Sequence, residues 1–245
     1  AAEIGGDPDR LGVIGGSTGG HQAAVLGIEG DARGRRPDAV VALWPIGDVD
    51  GRAAMARAYR PGPLARRLAD RLERRSDAGR TEAATAQRLA GLDDAWCAGG
   101  RRPAVVGAAL QRLNALQGRV PPLRLLLMRR LLHAHELAFP GGDPQMRAAS
   151  PVHRCRGTDT ALPPLHVVHA AADTNTTEAM SRALVAAWRD AGGAAQLDVV
   201  AGVGHSYGNI PSRAAEDLVD AVDGFLRRTA VARPTITRDG AGAAR

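Results

Sequence analysis

Three short apolar runs stand out against the polar background: Leu11–Ile14, Ala39–Trp44 and Leu165–His169. Each is too short for a helix and is followed by Gly, Pro or polar turn residues, as expected of buried parallel strands. A fourth run, Gln196–Val200, reads as the last strand. The segments between change period. Residues 19–27 are rich in Ala and Gly, Thr177–Ala191 ends at Gly192-Gly193, and Leu218, Val222, Phe225 and Leu226 recur on one face after a Ser212 cap. Strands alternating with helices predict an α/β fold with a mostly parallel sheet.

Between about residues 51 and 147 this alternation stops. Leu64, Leu68 and Leu72 recur every four residues behind Pro63, and helical segments are predicted over 81–92, 103–116 and 123–137. We read 51–147 as a helical cap inserted into a core made of 1–50 and 148–228, with 229–245 as an aperiodic, disordered tail. The leucine stripes are expected to pack within the cap rather than to form a membrane or partner surface.

The apolar run at Leu11 leads into Gly15-Gly16-Ser17-Thr18-Gly19-Gly20-His21. The pattern G-x-S-x-G between a strand and a helix places Ser17 on a sharp turn whose neighbours must be small. No register of the turn gives the G-x-G-x-x-G of dinucleotide sites. A phosphate-binding loop would need Lys where His21 stands, and the chain contains no lysine. Two further residues lie at strand exits, Asp173 and His205, giving the chain order Ser, Asp, His. At the C-terminal edge of a parallel sheet such residues can converge.

These segments resemble α/β-hydrolase esterases of the acetyl-esterase and carbohydrate-esterase type. The resemblance rests on Asp7–His21, on Ser150-Pro151 through Pro163-Pro164 to His169-Ala170-Ala171-Ala172-Asp173, and on Gly202-Val203-Gly204-His205. It implies Ser17 as nucleophile, His205 as general base, Asp173 as the acid that orients it, and the Thr18 N–H as an oxyanion donor. His21 and His169 are expected to be structural. Ala170 replaces the usual Gly, and Thr174-Asn175-Thr176-Thr177 replaces the usual Val-Pro. Because the family places strands and a His-Gly-Gly-type loop before the elbow, the chain is expected to correspond to the C-terminal half of such a fold. Leu11–Ile14 would then be an open edge and activity would be impaired. The expected reaction is cleavage of a small-molecule carboxylic ester through an acyl-enzyme. A prolyl-oligopeptidase-type peptidase and an inactive hydrolase fragment are the alternatives.

Composition narrows this further. The net charge of +6 comes entirely from scattered arginines, which argues against a nucleic-acid surface. Cys97 and Cys155 fit neither a metal spacing nor a disulfide framework, and His133 and His135 do not share a helix face, so no metal or other cofactor is expected. No apolar run is long enough to span a membrane. With no signal-peptide pattern at Ala1, the cytoplasm is favoured as the compartment. Oligomeric state is not legible.

Overall fold

A computed structural model describes residues 10–31, 33–77, 116 and 119–231. Four strands form one sheet in the order β1-β2-β3-β4: β1 (Gly12–Gly16), β2 (Ala39–Leu43), β3 (Leu165–Ala170) and β4 (Ala195–Val200). All three pairings are parallel. The α/β reading is therefore the observed one, and all four C-terminal strand ends share one edge.

Side chains on a strand alternate between faces, and here both faces of the middle strands are covered. Val40 and Ala42 of β2, with Leu165 and Val167 of β3, face helices α1 (Thr18–Glu29) and, further along the chain, α7 (Glu178–Asp190). Trp188 of α7 is fully buried there, and its indole N–H donates to the Pro163 carbonyl at 2.9 Å. Ala39 and Val41, with Val168 and Ala170, face the C-terminal helix α8 (Arg213–Val231) through Leu218, Val222 and Phe225. Two-sided burial is why these strands read as continuous apolar runs. β1 differs. Among the described residues it pairs only with β2, and Leu11 and Ile14 are 40% and 54% exposed.

Between β2 and β3 the described residues form helices α2 (Val49–Ala58), α3 (Pro63–Asp77), α4 (Pro121–Ala138), α5 (Asp143–Ala149) and the single turn α6 (Pro151–Arg154). The segments predicted over 81–92 and 103–115, and Cys97, lie outside the described residues, while Leu116 is helical. No described residue of this region is in a strand, and α2 and α5 were not anticipated. A small core of Ile46, Val49, Ala53 and Met146 joins α2 and α5 to the loop after β2, with Leu132 and Phe139 of the α4 region against it.

The leucine stripe of α3 requires a correction. Leu64, Leu68 and Leu72 are 71%, 41% and 42% exposed, and the buried position is Ala69. The helix is held to α4 by Arg129, which donates to Asp70 at 2.8 Å and to Glu73 at 2.5 Å. An i, i+4 repeat marks a stripe but not the side on which a neighbour lies. The C-terminal helix also continues through Val231, so residues 229–231 are helical rather than part of a tail.

Gly27 of α1 lies flat against the sheet. A Cβ there would sit 2.7 Å from Val40 Cγ2 and 2.8 Å from the Trp188 ring. Gly→Ala within a helix ordinarily gains up to about 1 kcal/mol, but overpacking a tight core costs about 1–3 kcal/mol. Gly27→Ala is expected to lose stability by about 0.5–2 kcal/mol in urea unfolding; an increase would show that the contact is soft.

Candidate active site

Ser17 caps α1 at φ 56° and ψ −116°, outside the regions a side-chain-bearing residue ordinarily occupies. The strain is held from several directions. The Ser17 N–H donates to Leu43 O of β2 at 2.9 Å, and its carbonyl accepts from the His21 N–H at 3.1 Å and the Ile46 N–H at 3.4 Å. The turn closes only because Gly15 has no side chain, since a Cβ there would overlap the Gly19 carbonyl. Gly20 is also confined, its Cβ position lying 3.1 Å from the carbonyls of Gly15 and Leu43. Gly19 is not: a Cβ on it meets nothing within 4 Å.

His205 follows β4 and Asp173 follows β3, and the structure brings both to Ser17. His205 Nε2 lies 3.1 Å from Ser17 Oγ, and His205 Nδ1 lies 2.6 Å from Asp173 Oδ2. A carboxylate can only accept, so the ring proton belongs on Nδ1, and Nε2 is free to accept from the serine hydroxyl. The sequence-predicted trio is thus a continuous hydrogen-bonded chain. Thr18 is the first residue of α1, where backbone N–H groups have no intrahelical acceptor. His21 and His169 lie apart from the chain. His21 Nδ1 donates to Ile46 O at 3.0 Å, and His169 Nδ1 is hydrogen-bonded to Ser181 Oγ at 2.8 Å in the interior.

The Asp173 carboxylate is fully buried. Burial alone would push its pKa up, but the His205 hydrogen bond and charge and the N–H groups of Thr176 and Asn175 outweigh this, holding it below the ordinary value. Oδ1 accepts from Asn175 N–H at 2.8 Å and Thr176 N–H at 3.0 Å, while Oδ2 also accepts from Thr176 Oγ1 at 2.9 Å.

Residues not singled out from the sequence complete the site. Trp44, at φ 38°, follows β2 and donates its N–H to Val168 O at 2.6 Å. Its indole stands edge-on to His205 with centroids 6.3 Å apart and packs against Tyr207 at 5.1 Å. Arg52 of α2 crosses to the loop after Asp173, where its Nε donates to Asn175 O at 3.0 Å. A signal for Trp44 existed, a large aromatic at a strand exit followed by Pro45; none marks Arg52 among so many arginines.

A polar knot ties the start of α2 to the start of α6. Ser150 Oγ accepts from Val49 N–H at 2.9 Å and lies 2.7 Å from the Asp50 carboxylate, which His153 Nε2 also approaches at 3.3 Å. Asp48 caps α2 by accepting from Gly51 N–H at 2.8 Å. Ligand atoms of Asp48, Asp50 and His153 fall within 4.8 Å of one another, the spacing of a small cation site. His133 and His135 take no part in it. A cavity of about 690 Å³ lined by Pro37, Leu162, Pro163 and Phe225 opens at the opposite end of the strands, away from Ser17.

No family model matches the chain, and no curated protein does. Among solved structures it is similar to an esterase from the bacterial hormone-sensitive lipase family, at 20% identity and a TM-score of 0.50 over 93% of this chain and 56% of that one. It is equally similar to a mutant of the esterase E40, at 20% identity and a TM-score of 0.51 over the same shares, 93% and 56%. The chain therefore spans little more than half the length of these structures. Among the described residues, no helix is long and apolar enough to cross a membrane.

Three outcomes check the site's construction. Gly15→Ala is expected to lose more than about 3 kcal/mol or fail to fold, because the obstructing atom is backbone. Gly19→Ala should be neutral or gain up to about 1 kcal/mol from helix propensity; a large loss in urea melts would contradict the steric assignment. For Asp173, a lowered folded pKa means its stabilising contribution is present above the unfolded carboxylate pKa and is lost as pH falls through the folded value. Thr176→Val should therefore cost about 1–3 kcal/mol at pH 7, and the gap from wild type should narrow on acidification through that value. A gap independent of pH would mean that the hydroxyl serves packing alone.

Four parallel strands flanked by helices, with the structural likeness above, give the chain the α/β-hydrolase fold.

Proposed function

We propose that this chain carries the catalytic centre of a serine hydrolase that cleaves carboxylic esters of small molecules through an acyl-enzyme. The observation that carries the reading is the chain from Ser17 Oγ through His205 to Asp173, with contacts of 3.1 Å and 2.6 Å. The esterases named above share the fold and support the choice of substrate class.

In this reading Ser17 Oγ attacks the ester carbonyl while His205 Nε2 takes its proton. The Nδ1–H···Asp173 bond fixes the tautomer that leaves Nε2 able to accept. The ionised, buried carboxylate stabilises the imidazolium as it forms. The Thr18 N–H donates to the developing oxyanion, an interaction of a kind whose loss costs about 10²–10³ in turnover. His205 then returns the proton to the departing alcohol, and water attacks the acyl-serine by the same route in reverse. The helices between β2 and β3 are placed beside the loop after β2 and serve as a cap that shapes the acyl pocket and excludes water.

The test uses 4-nitrophenyl acetate and a fluorophosphonate probe. Ser17→Ala and His205→Ala should each abolish most turnover, and the double variant should be scarcely worse than either, because the residues act as a unit. Asp173→Asn should cost on the order of 10⁴-fold. Probe labelling should vanish in Ser17→Ala. Labelling or full turnover without Ser17 would overturn the assignment, and absence of both in the wild-type chain would favour an inactive hydrolase scaffold.

A further inference from the structure

Arg52 is an unusual residue for its position. It is only 7% exposed, yet it lies on α2 and reaches across to the loop that carries Asp173. Among the described residues only its Nε is engaged, by the Asn175 carbonyl. The described residues offer no hydrogen-bond acceptor to Nη1 or Nη2, and no carboxylate pairs with it. Asp173 acts on it through its field alone. Burial lowers the guanidinium pKa to about 10, so the group is still cationic at neutral pH.

A buried cation without a paired anion is costly, and a guanidinium that spends one donor and leaves its planar fork open is shaped for a bidentate acceptor. The neighbourhood reinforces this. His135 of α4 is buried, donates Nδ1–H to Leu131 O at 2.5 Å, and is kept neutral chiefly by burial, with the charges of Arg52 and Arg57 adding to it. His21, next to the Ser17 turn, is likewise held below its ordinary pKa mainly by burial. Arg57 is already committed to Asp143 at 2.7 Å. Arg52 is thus a fixed positive charge with an open fork where α2 meets the edge on which Ser17, His205 and Asp173 converge.

We infer that the open guanidinium fork of Arg52, buried between α2 and the Asp173 loop, is a subsite for a substrate carboxylate, so that the preferred esters carry a negative charge a few bonds from the scissile carbonyl. The inference rests on the ester-hydrolase reading for its reaction but not for its binding step. Nε stays on Asn175 O while Nη1 and Nη2 take the two carboxylate oxygens, replacing water with charge-assisted hydrogen bonds in a low-dielectric setting. Selectivity then comes from the cost of leaving the fork unpaired under a neutral acyl chain.

The first test needs no variant. The wild-type chain is given mono-4-nitrophenyl glutarate and its methyl ester, which differ in charge and one methyl group. The charged ester should be preferred by about tenfold or more in kcat/KM, mainly through KM; equal rates, or preference for the neutral ester, would overturn the subsite. Arg52→Gln should abolish that preference and Arg52→Lys should retain part of it. If Arg52 merely props the acid loop, Arg52→Gln slows both esters by the same factor and the ratio is unchanged. The second test is independent of turnover: titration calorimetry of succinate and glutarate into the Ser17→Ala chain. Binding that is lost in the Ser17→Ala, Arg52→Gln double variant supports the subsite even if no ester is hydrolysed, in which case only the hydrolase reading fails. Ester turnover indifferent to charge, with no dicarboxylate binding, leaves the hydrolase reading intact and removes this one.

Discussion

The contact between Gly15 and the backbone of Gly19 is the constraint on which the site depends. A strand that feeds a helix without a loop must reverse within one residue, and that residue, Ser17, is forced to φ 56°. Strain of this kind costs on the order of 1–3 kcal/mol and persists only where the surroundings over-determine it. Here the N–H of Ser17 is bound to β2 and its carbonyl is shared by His21 and Ile46. The strand on one side, the helix on the other and the loop after β2 therefore hold the hydroxyl in a single place.

Everything that meets Ser17 does so because the sheet is parallel. Each strand exit delivers one component: the serine after β1, Trp44 after β2, Asp173 after β3 and His205 after β4. The buried carboxylate of Asp173 is tolerable because four donors surround it, the N–H groups of Asn175 and Thr176, the Thr176 hydroxyl and His205 Nδ1. Trp44 adds an edge-on aromatic contact to the imidazole, with ring centroids 6.3 Å apart.

The helices between β2 and β3 are joined to this edge at both ends of their course. Ser150, where they return to the sheet, binds the N–H of Val49, where they depart, and the Asp50 carboxylate closes the loop. Arg52 adds a second tie, to the acid loop itself. Departure and return are thus pinned together beside the site.

The local grammar of this chain is strong enough to be read without a structure. Buried strands on a two-sided sheet have no polar face, so Ala39–Trp44 and Leu165–His169 announce themselves. The crowding at Gly15 and Gly20 likewise demands glycine at those positions, and the turn is visible for that reason. Asp173 and His205 were legible because they stand at strand exits in the expected order. What the sequence could not carry was the choice of neighbour. The stripe Leu64, Leu68, Leu72 and the alternative face containing Ala69 have the same helical period, and only packing against α4 decided that alanine is buried and leucine exposed. Arg52 looks like any other arginine, and its burial follows from where α2 crosses the Asp173 loop. Periodicity and sterics act within a few residues and are written locally; burial and charge pairing depend on which distant segments meet, and that is settled only when the chain has folded.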